Sequence, residues 1–134
     1  MTGHRKPGAP ELVALLLLCC GSLSAALGHH SNRAIYDREE ILSIEGIVTE
    51  VWYQNPHSRV YVEVTVENGD TALWQAETLD RSQLDRRGWK YNDLVKGDFV
   101  VVTGRVAFDG SNRLQMLTIV RPADGWEGVG YGGD

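Results

Sequence analysis

The chain has 134 residues, 13 of them basic and 18 acidic, with two cysteines, Cys19 and Cys20. With an acidic balance and no basic run longer than Arg86-Arg87, it lacks the electrostatic footprint of a nucleic-acid binder. It also carries no phosphate-cradling glycine loop, no Gly-x-Ser-x-Gly and no His-Glu-x-x-His, which excludes the commonest nucleotide-binding, serine-hydrolase and zinc-hydrolase signatures.

Residues 1–28 read as a signal peptide. Arg5 and Lys6 form a basic n-region, residues 12–20 an apolar core, and Ala26-Leu27-Gly28 a small-residue junction, so cleavage is expected just before His29. The apolar run is too short to span a bilayer. Leu18 precedes Cys19 where a lipid-modification site needs a small residue, so no stable membrane anchor is expected after cleavage. The expected location is the periplasm or the exterior. Processing leaves 106 residues with 11 basic and 17 acidic side chains and no cysteine. That is enough for one domain with one modest core, with no disulfide and no thiolate nucleophile.

Residues 29–40 are polar with two apolar anchors, Ile35 and Tyr36, and read as an extended N-terminal segment. Strand 1 is expected over 41–52. Its apolar alternation changes phase between Ile44 and Ile47, and Gly46 at the change predicts a bulge or bend. A stiff corner follows, Gln54-Asn55-Pro56-His57, in which Pro56 restricts both its own φ and the residue before it. Strand 2 carries the clearest pattern: Val60, Val62, Val64 and Val66 on one face, Tyr61, Glu63, Thr65 and Glu67 on the other. Asn68-Gly69 is a hairpin turn signal, and strand 3 is expected over Thr71–Glu77 with Ala72, Trp74 and Ala76 on one face.

A short helix is expected over 78–87, capped by Thr78 or Asp80 and ended by Gly88, with Leu79 and Leu84 inward. Trp89 and Tyr91 are expected to fold back onto the body. Residues 92–97 read as a single helical turn. Strand 4 is expected over 98–107, apolar on both faces and therefore central, and strand 5 over Arg113–Arg121 after the Asp109-Gly110 turn. Residues 123–134 hold many glycines and two aromatics and read as a flexible tail.

Five strands with one helix between the third and fourth, a bent first strand and glycine-punctuated turns give an all-β fold. The expected architecture is a five-stranded OB-like β-barrel over residues 41–122, with an open sandwich as the alternative.

The histidines carry the most specific chemistry. A processed chain beginning His29-His30-Ser31 presents an α-amine and an imidazole on one residue, a chelating pair, and His57 would add a third nitrogen. Such a set suits Cu(II), which prefers tetragonal nitrogen ligation. Cleavage one residue earlier would place a histidine third from the terminus, another copper-chelating arrangement that needs no His57. The bland alternative makes His57 a turn residue and leaves the paired histidines without a role. Trp52, Tyr53 and Asn55 beside the turn are the candidate contacts for an unknown protein or small ligand. Carboxylates alternate along strand faces as solvated charges do, and an acid–base hydrolase would need a pair such as Glu50 with Glu63 to be brought together by the fold.

Taken in order, His29-His30-Ser31, Gly46-x-Val48, Asn55-Pro56-His57, Trp74, Arg86-Arg87-Gly88-Trp89 and Lys96-Gly97-Asp98 resemble a family of small exported bacterial proteins classed as a domain of unknown function. The resemblance covers about residues 28–122, with Gly28 standing where alanine is usual. It implies a periplasmic location and a small β-barrel, and supplies no activity, ligand or catalytic residue. The expected role is therefore an exported binding or accessory module rather than an enzyme, with a copper-binding protein as the alternative.

Overall fold

The computed structural model describes residues 35–132. Among them run six strands and one helix: β1 (Tyr36–Trp52), β2 (Arg59–Thr65), β3 (Thr71–Glu77), α1 (Arg81–Arg86), β4 (Phe99–Ala107), β5 (Arg113–Arg121) and β6 (Trp126–Val129). No helix among them is long and apolar enough to cross a membrane.

The sheet runs β3-β2-β1-β4-β5-β6 with antiparallel neighbours, and a parallel pairing of Gln75, Ala76 and Glu77 with Arg113, Leu114 and Gln115 links β3 to β5. Hydrogen bonding therefore returns to its start through β1, β2, β3, β5 and β4, which leaves few unpaired edges. Alternation supplies the interior. Val60 and Val62 of β2, Val100 and Val102 of β4, and Leu114, Met116 and Ile119 of β5 are all essentially sealed from solvent. Trp74 packs half-buried against this cluster, and β4 lies between β1 and β5 as its apolar pattern requires.

β1 shows where a sequence pattern misplaces a bend. Ile44, Gly46 and Val48 keep one inward phase, and Ile47 faces out at 41% exposure. The register slips later, between Val48 and Glu50. Gly46 answers a different need: a methyl group there would collide with the Glu63 carbonyl of β2. Glycine allows that close approach; the bulge makes the turn of phase.

The helix is shorter than expected because Thr78 is used elsewhere: its N–H donates to the Ser58 carbonyl at 2.9 Å and its side chain is buried. Asp80 caps instead, accepting from the Gln83 N–H at 3.0 Å, and Gly88 ends the segment at φ +89°. Leu79, Leu84 and Trp89 pack into the core, whereas Tyr91 stays 67% exposed against expectation. Residues 92–97 form turns rather than a helical turn, closing on Gly97 at φ +99°.

The C-terminal segment, read from composition as a tail, contains β6. It pairs antiparallel with β5 from Thr118↔Val129 to Arg121↔Trp126. Gly128 is buried because any side chain there would run into the Trp89 ring, and Trp126 meets that ring edge-on at 5.1 Å. A methyl on Gly130 would collide with the Met116 carbonyl, and its own carbonyl accepts from Arg87 at 2.8 Å. These glycines serve close approach.

Candidate functional site

The Asn55-Pro56-His57 corner is pinned from both sides. The Ser58 N–H donates to the Leu79 carbonyl at 3.0 Å, and the Ser58 hydroxyl exchanges hydrogen bonds with the Gln54 backbone at 3.2 Å. Ser58 is only 2% exposed, so the turn is anchored by its least conspicuous residue. His57 leaves this anchor half-buried and meets two groups, one at the end of β3 and one from the chain after β6.

His57 Nδ1 lies 3.1 Å from the Tyr131 phenol oxygen and 3.9 Å from Glu77 Oε1. Tyr131 is brought there by the chain after β6, whose Gly130 and Tyr131 N–H groups donate to the Leu117 and Met116 carbonyls at 2.8 and 3.0 Å. Glu77 ends β3 and is buried, and its other oxygen lies 3.7 Å from Arg59 Nε, an ion-pair rather than hydrogen-bond distance. His57 Nε2 has no hydrogen-bond partner among the described residues. Buried Arg59 Nε and Thr78 Oγ1 likewise lack one.

The field of Glu77 is felt by two phenols. Burial first, then the Glu77 charge, pushes Tyr131 up to about 12, and the same two causes in the same order push Tyr36 to about 12 against the opposing pull of Arg113 and Arg59. Both phenols are therefore neutral hydrogen-bonding groups at neutral pH. The site is a half-buried polar cluster of His57, Arg59, Glu77, Tyr131 and Tyr36 whose hydrogen-bonding capacity is incompletely used.

The other expected contacts behave differently from one another. Trp52 is partly exposed, donating its indole N–H to Glu50 at 2.6 Å, with its ring edge-on to Tyr61 at 5.3 Å and Arg59 over it at 5.6 Å. Tyr53 turns inward: its hydroxyl binds Asp85 at 2.8 Å, and burial followed by that bond raises its phenol. Asn55 is exposed. Beyond Tyr53 lie two adjoining cavities of about 320 and 190 Å³ that share Val51, Tyr53 and Tyr91. Glu50 stands opposite Tyr61 and Glu63 opposite Ile47, so the two carboxylates are not cross-strand partners.

Among the described residues no three His, Cys, Asp or Glu side chains gather as a metal site, so His57 does not make one with its neighbours. His29 and His30 lie outside the described residues.

A family model matches residues 16–115 of this chain. The chain belongs to DUF6152, a family of unknown function. The family resemblance read from the ordered motifs is thereby borne out. The DUF6152 match includes His29, His30, His57, Arg59 and Glu77, and ends before the segment that delivers Tyr131. No curated protein and no solved structure matched.

Sequence reasoning passed over Glu77, Arg59 and Tyr131. The available signal for Glu77 was only its place beside a helix cap, because alternation sets it on the face opposite Ala72, Trp74 and Ala76. Tyr131 had none, because a lone tyrosine among glycines reads as tail composition.

Proposed function

We propose that this DUF6152 chain is an exported binding protein rather than an enzyme, built as an OB-like barrel, and that its ligand is Cu(II). The observation that carries this reading is the state of His57. One ring nitrogen is engaged by a hydroxyl beside a carboxylate, and the other is unpartnered on a half-exposed side chain. That is how metal-ligating imidazoles are held, with the far nitrogen anchored and the near one free. The remaining nitrogens are those of His29, its α-amine after signal cleavage, and His30. The strand order closing through β3 and β5 supports the barrel.

The test is a Cu(II) titration of the processed chain, its terminus confirmed by mass, beside His57→Ala and a chain with an N-terminal extension. The reading predicts one equivalent bound with a nitrogen-rich paramagnetic spectrum, and affinity at least about 100-fold lower in each control, as expected for loss of a ligand rather than of its support. Binding indifferent to both changes would overturn it.

A second reading is a protein- or small-ligand-binding accessory module acting through the aromatic groove. The adjoining cavities beside exposed Tyr91 favour it. It predicts ligand binding that tolerates an N-terminal extension.

A further inference from the structure

A metal-binding imidazole must present a lone pair on the nitrogen that faces the metal, so the other nitrogen must hold the proton. For His57 the nitrogen facing protein is Nδ1, and its neighbours determine where that proton sits. The Tyr131 phenol has one proton to give and two candidate acceptors, the Thr78 carbonyl at 3.5 Å and His57 Nδ1 at 3.1 Å. Given to Thr78, the proton leaves the phenol oxygen free to accept from Nδ1–H. Given to Nδ1, it forces the ring proton onto Nε2 and closes that nitrogen to a metal.

Two features favour the first arrangement. A carbonyl only accepts, so the phenol can bond Thr78 only as donor, over a long 3.5 Å. Glu77 Oε1 stands 3.9 Å from Nδ1, and a carboxylate at that range favours an N–H over a lone pair pointing toward it.

We infer that Tyr131 is a positioning residue that, with Glu77, holds His57 in the Nδ1–H tautomer and so makes Nε2 an electron-pair donor. Its use in metal binding rests on the copper reading; the tautomer itself does not. The chain after β6 thus completes a site whose other members lie within the family-matched span, which gives the packing of Gly128 and Gly130 a functional consequence. An Nε2–H tautomer is the commoner form of a free histidine side chain in water, so the arrangement has a spectroscopic signature.

The experiment is long-range ¹⁵N–¹H correlation of the metal-free, ¹⁵N-labelled protein at about pH 8, above the ordinary histidine range, with the His57 signals assigned by their loss in His57→Gln. Wild type is expected to show a protonated Nδ1 and an unprotonated Nε2. Tyr131→Phe keeps the ring and its packing while removing the hydroxyl, and is expected to raise the Nε2–H share of His57, with Glu77 still opposing it. Cu(II) affinity should fall about 10-fold in that variant, the usual effect of losing a residue that orients a ligand. A wild-type Nε2–H tautomer overturns the inference, and an unchanged tautomer in Tyr131→Phe overturns the part given to Tyr131. If the tautomer is as inferred and no Cu(II) binds, the copper reading fails and the positioning stands.

Discussion

Two polar clusters in this molecule look alike in composition and differ in how completely they are satisfied. Around Arg121, at the end of β5, the guanidinium donates to Asp124 through Nε and Nη2 at 3.0 and 2.9 Å, and through Nη1 to Asp98 at 2.8 Å and the Asp93 carbonyl at 2.5 Å. Asp98 also accepts from the Val95 N–H and Asp124 from the Trp126 N–H, and the Trp126 ring lies 5.5 Å from the guanidinium carbon. The bonds to Asp124 and then Asp98 hold Arg121 above its usual pKa, and the bond from Arg121 holds the Asp124 carboxyl below the usual range. Around His57 the distances lengthen to 3.7 and 3.9 Å, Arg59 Nε and Thr78 Oγ1 lack hydrogen bonds, and one imidazole nitrogen is idle. The first cluster ties β5, β6 and the 93–98 turns together. The second leaves hydrogen-bonding capacity unspent.

The largest expected effect tests the structural half of that contrast. Arg121→Ala strands Asp98 and the Asp93 carbonyl together and should lower stability by about 3 kcal/mol, read from the urea midpoint. Cu(II) affinity per folded molecule should not change; if it does, the two clusters are not separable.

A smaller effect comes from alkaline pH. Tyr36 and Tyr131 have folded values of about 12 against an ordinary 10.0, so the stability they carry as neutral phenols is complete below about pH 10 and is lost as the pH rises toward 12. Glu77→Gln removes the second cause of both shifts. It should lower the midpoint of phenol ionisation in an ultraviolet titration and change neutral-pH stability by no more than about 1 kcal/mol, because relief of a buried charge is offset by the loss of the ion-pair partner of Arg59. A marked loss of stability at pH 7 would instead make Glu77 part of a structural knot.

The smallest effect belongs to the exposed aromatic side. Trp52→Ala removes an edge contact to Tyr61 and the cover over Arg59, and should cost about 1 kcal/mol in the same urea assay. A cost of several kcal/mol would move Trp52 from the groove to the core.

Much of the fold was legible because alternation records burial directly. β3 and β5 fall where the pattern put them, and the valines of β2 enter the core as far as Val62 before Val66 emerges at 39% exposure. The bulge in β1 was misplaced because Gly46 has two possible reasons to be glycine, and a one-dimensional pattern cannot tell a bend from a neighbouring carbonyl. β6 went unread for the same cause on a larger scale. Gly128 and Gly130 remove the alternation that marks a strand, and what they make room for, Trp89 and Met116, is remote in the chain.

By itself the sequence determined the first five strands, the turns at Gly69, Gly88 and Gly110, the family, and that His57 stands on a rigid corner. These depend on backbone preference and local periodicity, which a few consecutive residues carry. Only the tertiary structure decided that β3 meets β5, that Tyr53 turns inward while Trp52 stays out, and that His57 faces Glu77 and Tyr131. Those outcomes depend on which distant residues share one small volume, and the contact between His57 and Tyr131 exists only once the sheet has folded back on itself and β6 has docked.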